Sequence, residues 1–205
     1  MDRTRDSLSA WWDRHPEFIK TLFDNNACDE EFNNALERII EAAIVSMEEN
    51  VKDFDPNHQM SENGLSSVLA SEIKMPGINV HRETNSNGHV DLTIEVESSL
   101  SGRKRLGEAK IWKGPSYHLD GLDQLLNRYA TGRCDSGFMF AYVREAKIKE
   151  KFEGLKIKMD QESPCEQTED SQPHPFAKWT LVSKHQHRSG ETLRVVHFGC
   201  NLCWN

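Results

Sequence analysis

The stretch His89-Val90-Asp91-Leu92-Thr93-Ile94-Glu95-Val96 decides the fold, read together with Arg105-Leu106-Gly107-Glu108-Ala109-Lys110-Ile111 just after it. In the first, Val90, Leu92, Ile94 and Val96 alternate with Asp91, Thr93 and Glu95, the period of a strand with two unlike faces. The second reads as its partner, a strand over 104–112 joined through a hairpin loop at 98–102. Glu108 and Lys110 stand two residues apart and so share a face. Two carboxylates and an ammonium are costly to bury on one sheet face. They are what a hard divalent cation and a scissile phosphate require. Acids and a lysine on a strand pair are more often a solvated face. Here Leu106 and Trp112 share the face of Glu108 and Lys110, and Gly107 permits close approach of another group.

Upstream, Leu36, Ile39, Ile40, Ala43 and Met47 keep helical spacing, which predicts a helix over 31–51. Trp11, Trp12, Phe18, Ile19, Leu22 and Phe23 predict a short helical piece before it. Asp53-Phe54-Asp55-Pro56-Asn57 breaks the pattern and divides an acidic helical extension, 1–60, from a domain over 61–205. Ser61 reads as the N-cap of a helix over 62–75 ended by Pro76-Gly77, with Glu62 and Glu72 beside its apolar stripe. A weak strand spans 78–84, and Asn85-Ser86-Asn87-Gly88 is turn chemistry.

Downstream, a helix is expected over 117–130, an apolar strand over 138–143 and a charged helix over 144–158. A polar mobile loop over 160–175 and two strands, 179–183 and 193–198, complete the chain. The order predicts an α/β domain with a central mixed β-sheet flanked by helices.

The 205 residues have a net charge of −8, and its distribution matters more than its size. Residues 1–60 carry 14 acids against 6 bases, whereas 61–205 carry 19 of each. The net charge of −8 argues against non-specific DNA affinity over the whole surface, but local basic patches remain, at Arg103-Lys104-Arg105 with Lys110 and Lys113 and over 144–158. The acidic helices read either as packing on the domain's own flank or as a docking element for a second copy or a partner protein. The absence of an 18-residue apolar run or an apolar leader predicts a cytoplasmic protein with no membrane segment. Five cysteines, an odd count, argue against a disulfide framework.

With Asp91 and Glu108 on neighbouring strands, their oxygens and the Ala109 carbonyl are expected to hold Mg2+ or Mn2+, with Lys110 orienting the attacking water or stabilising developing charge. Glu62 or Glu72 is placed to help from the preceding helix.

The pattern Asp91 … Glu108-Ala109-Lys110, preceded by a helix bearing Glu62 and followed by Asp123-Gln124-Leu125-Leu126-Asn127-Arg128-Tyr129, resembles the PD-(D/E)XK, or restriction-endonuclease-like, nuclease superfamily over roughly residues 61–200. The last segment is similar to the glutamine–tyrosine helix of its RecB-like members. The resemblance implies a restriction-endonuclease-like core and a metal-dependent deoxyribonuclease. Asp91 and Glu108 would bind the metal, Lys110 would position the water, Glu62 would assist and Gln124 would orient the core. Restriction or antiviral (anti-phage) defence is the usual setting of small members. The alternative class is a subunit whose nuclease-like domain stays latent until a partner delivers DNA or a signal. The sequence departs from the family pattern in having Val90 for the proline before the aspartate, and five residues instead of four between Gln124 and Tyr129. Either a helical bulge restores the pair, or Arg128 takes the fourth position, or Tyr129 is a core residue.

Other residues invite lesser readings. His197, Cys200 and Cys203, with His185 or His187, form an incomplete zinc pattern and read as a core strand ending in reduced thiols. His118 reads as a surface residue, Glu95 as the solvated end of its strand, and the tryptophans as core.

Overall fold

A computed structural model describes residues 16–85, 89–97 and 103–204. Of the short helical piece expected at the start, Trp11 and Trp12 lie outside these residues, while Phe18, Ile19, Leu22 and Phe23 do fall on a helix. Helix α1, Glu17–Phe23, precedes the long helix α2, Asp29–Phe54, and α3, Glu62–Ile73. Strands β1 (Ile78–Asn85), β2 (His89–Val96) and β3 (Arg103–Ile111) follow. Helix α4, Pro115–Asp123, continues into a π-helical turn, Gln124–Tyr129, and leads to β4, Ser136–Val143. Helix α5 (Ile148–Glu162), a short β5 (Gln172–Pro173), β6 (Thr180–Gln186) and β7 (Thr192–Asn201) complete the chain.

The strands form one mixed sheet in the order β1-β2-β3-β4-β7-β6-β5. The outer pairs are antiparallel, and β3, β4 and β7 run parallel at the centre. The α/β fold with a mixed sheet between helical layers is therefore present. Strand β4 is buried along its whole length, as a central parallel strand covered on both faces must be, which explains its unbroken apolar run. Phe138, Phe140 and Tyr142 face one way and join a core with α1, α2 and α3. Met139, Ala141 and Val143 face the other and join a core with α4, the π turn and α5.

The apolar stripe of α2 is spent inside the first core: Leu36, Ile40 and Met47 are buried there against the sheet. Polar ties reinforce it. Glu37 is fully buried and takes the Arg194 guanidinium and, at 2.9 Å, the His174 Nε2. Arg105 pairs with Asp135 at 2.6 Å and with Asn33, and Arg103 donates to the Ala27 carbonyl at 2.6 Å. Two of the arginines expected in a surface patch thus fasten the N-terminal helices instead.

Several boundaries differ from expectation for local reasons. The charged helix starts at Ile148, not Arg144, because Arg144 is held by Asp55 and Lys147 enters the left-handed region at φ 67°. Its lysines pair with acids one turn on, Lys149 with Glu153 and Lys158 with Glu162, so that face is charge-balanced. The segment expected as a mobile loop over 160–175 is pinned: α5 extends to Glu162, Asp160 Oδ1 accepts from the Ser171 amide at 2.7 Å, and Gln167 bridges to His185. Ser61 does cap α3, its hydroxyl accepting from the Gly64 amide at 3.1 Å. Among the described residues no helix is long and apolar enough to cross a membrane.

Candidate metal centre

Backbone pairing between β2 and β3 runs from Val96–Arg103 to Leu92–Gly107 and stops there, although both strands continue. Side chains take over at the gap. Asp91 Oδ2 accepts from the Ala109 amide at 2.9 Å, and Glu62 Oε2, from the first turn of α3, accepts from the Ile111 amide at 2.7 Å. In an extended strand a residue's N–H and C=O point to the same side, so the Ala109 carbonyl also faces this gap. Glu108 and Lys110 meet at 2.6 Å, and Lys110 lies 3.8 Å from Glu62.

Two glycines make this approach feasible. A Cβ on Gly107 would stand 2.9 Å from the Phe140 ring, and one on Gly121 would stand 3.0 Å from Lys110 Cε. Residue 107 must therefore be bare for β3 to lie on the aromatic core, whereas at residue 121 an added methyl would press on the Met139 and Lys110 side chains that α4 covers.

The charges shape one another. Burial, then the neighbouring Asp91, pushes the Glu108 carboxyl up to about 7, against the opposing pull of Lys110. Burial acts to lower Lys110, but its bond to Glu108 and the charges of Glu108, Glu62 and Asp91 outweigh that and hold it above its ordinary value. Tyr129 is raised by burial and then by the charges of Glu108 and Asp91, so its phenol stays protonated beside them.

A π turn spans the five-residue spacing. On a regular α-helix five residues would rotate Tyr129 by about 140° away from Gln124. Here the Ala130 amide bonds to the Leu125 carbonyl at 2.9 Å, five residues back, so the expected helical bulge is present as a π turn that narrows this rotation, while Tyr129 itself packs in the second core. The segment packs against β2 and β3. Tyr129 is buried and Gln124 half-buried at the start of the turn.

Of the residues singled out from sequence, Asp91, Glu108, Ala109, Lys110 and Glu62 converge at the gap. Glu72 is exposed on α3 and does not join them. Glu95 lies at the surface near His81 and Lys104. Cys200 sits in the first core while His197 points to the opposite face, so that cysteine and histidine do not form a zinc site. The described cysteines are all thiols. His118 is buried, not a surface residue, and bonds to His197 at 2.9 Å.

Among the described residues no three His, Cys, Asp or Glu side chains stand grouped as metal ligands. The set at the gap is smaller: two carboxylates and a main-chain carbonyl. It fits a hard cation on one specific ground. Glu108 Oε2 is buried and has no hydrogen-bond partner, an acceptor whose desolvation nothing repays. No protein-family model, curated protein or solved structure matches the chain.

Proposed function

We propose that the protein is a metal-dependent nuclease of the PD-(D/E)XK type that hydrolyses phosphodiester bonds in DNA. The observation that carries this reading is the convergence of Asp91, Glu108, Lys110 and Glu62 where β2–β3 pairing stops. Asp91, Glu108 and the Ala109 carbonyl would hold Mg2+ or Mn2+. Such an ion, when bound, supplies Lewis acidity and neutralises phosphate charge.

The remaining work falls to the chain's own side chains. Lys110, held protonated by its acidic neighbours, orients the attacking water and opposes charge that develops on the phosphate. Glu62 ties the Ile111 amide and so fixes where β3 presents Glu108 and Lys110. Gln124 and Tyr129, at the two ends of the π turn, would frame the side of the cleft where a DNA backbone would lie. A role in antiviral defence in the cytoplasm is the setting this reading favours.

The test is incubation of the full chain with circular and linear DNA, with RNA as a comparison, in Mg2+ or Mn2+. Wild type is expected to cut DNA, and Asp91→Ala and Lys110→Ala to lower the rate by roughly 100-fold or more. Cleavage that survives both substitutions would discard the assignment.

A further inference from the structure

A line of polar groups crosses the second core. His118 Nε2 is 2.9 Å from His197 Nδ1, and His197 Nε2 is 2.8 Å from Ser183 Oγ. Ser183 Oγ is 2.7 Å from His185 Nε2, and His185 Nδ1 is 3.2 Å from the carbonyl oxygens of Pro164 and Cys165. His118, Ser183 and His185 are each 1% exposed and His197 is fully buried. Three imidazoles in an apolar core are costly unless their hydrogen bonds are made.

The far end dictates the direction. A carbonyl only accepts, so His185 Nδ1 carries its proton and its Nε2 is bare. Ser183 donates to that nitrogen and accepts from His197 Nε2–H. His197 Nδ1 is then bare and accepts from His118 Nε2–H. The chain ends in a lone pair on His118 Nδ1, an atom that is buried and without a hydrogen-bond partner. Burial, and then the charge of Lys110, pushes His118 down to about 3, and burial pushes His185 down to about 4, so both rings are neutral.

Lys110 lies on the same side of the sheet. Its stem runs beneath Gly121, three residues along α4 from His118, and its charge acts on that ring. We infer that the one-directional chain makes His118 a positioning residue for Lys110: the Nδ1 lone pair is a second acceptor for the ammonium, taken up when Glu108 gives its oxygens to a cation. Without the cation, Lys110 donates to Glu108 at 2.6 Å. Glu62, at 3.8 Å, has its other oxygen committed to the Ile111 amide. The inference rests on the reading of Glu108 as a cation ligand.

Two substitutions separate positioning from plain packing. His118→Gln reproduces the Nε2 donor but not the Nδ1 acceptor, and His118→Asn does the reverse. His118→Gln is expected to lose roughly 10- to 100-fold in kcat at unchanged KM. His118→Asn is expected to recover most of kcat on a less stable fold. The opposite order would make His118 a structural anchor and overturn the inference.

A readout independent of cleavage is long-range 1H–15N NMR of the histidine-labelled full chain. His118 Nδ1 is expected bare, and its resonance to move by several parts per million when Mg2+ is added to wild type but not when Mg2+ is added to Lys110→Met. A protonated Nδ1, a resonance unmoved by Mg2+ in a wild type that binds the ion, or a Mg2+ response that survives Lys110→Met would overturn the inference. If calorimetry shows that Mg2+ binds nowhere and no nucleic acid is cut, the nuclease reading fails and the switch of acceptor fails with it, an outcome distinct from Mg2+ binding that leaves the His118 resonance unmoved.

Discussion

Glu108→Gln is expected to stabilise the metal-free protein at pH 8 by about 1–3 kcal/mol and to abolish cleavage. The carboxyl is raised from 4.5 to about 7 by burial and by Asp91. For an acid raised in the folded state, the stabilising contribution is full below pH 4.5 and is lost as pH rises through about 7. Above that range, folding must hold a charge in a place that disfavours it. Glutamine removes the charge, and its carbonyl can still accept from Lys110. Guanidinium unfolding in EDTA checks the sign: the gain should be present at pH 8 and vanish by pH 5. A variant less stable than wild type at pH 8 would mean that the bond to Lys110 outweighs burial. Stability gained where activity is lost is the signature of a group retained for its chemistry.

Glu37→Ala is expected to cost about 3–5 kcal/mol. Glu37 is fully buried on α2 and joins Arg194 of β7 and His174, which in turn accepts from the Ala177 amide at 3.1 Å. Removing the acid strands a guanidinium and an imidazole N–H at the seam between helix and sheet, and opens a cavity. Glu37→Gln, which keeps the shape and one acceptor, should cost less. A denaturation midpoint for Glu37→Ala within error of wild type would show that α2 is held by its apolar stripe alone.

The strands and the pair of acids were legible because β2 alternates cleanly and β3 carries its charges two residues apart. The π turn was legible only as a mismatch: five residues between Gln124 and Tyr129 do not fit a regular helix, and one wide turn absorbs the surplus. Glu62 and Glu72 could not be ranked from spacing, because both lie near the same stripe, and only the end of α3 that meets β3 decides between them. The arginines at 103 and 105 look like a surface patch in a string of letters, since the sequence does not show that Asn33, Asp135 and the Ala27 carbonyl fold back onto them.

The histidine chain had a signal that composition hides. In β6, Leu181, Ser183 and His185 share a parity, and in β7 so do Leu193, Val195 and His197, which places polar residues at core-facing positions. Such residues need partners, and here they found one another. The pinned segment around 160–175 was missed for a related reason, since its anchors, Asp160 to Ser171 and Gln167 to His185, are long-range.

The most direct measurement is Mn2+ binding to the full chain, followed by calorimetry and by the manganese paramagnetic signal, in wild type and in Asp91→Asn. If Asp91 and Glu108 hold the ion, wild type binds about one Mn2+ per chain in that cleft and Asp91→Asn loses the site. Absence of binding by wild type, or equal binding by Asp91→Asn, would contradict the metal centre and with it the nuclease reading.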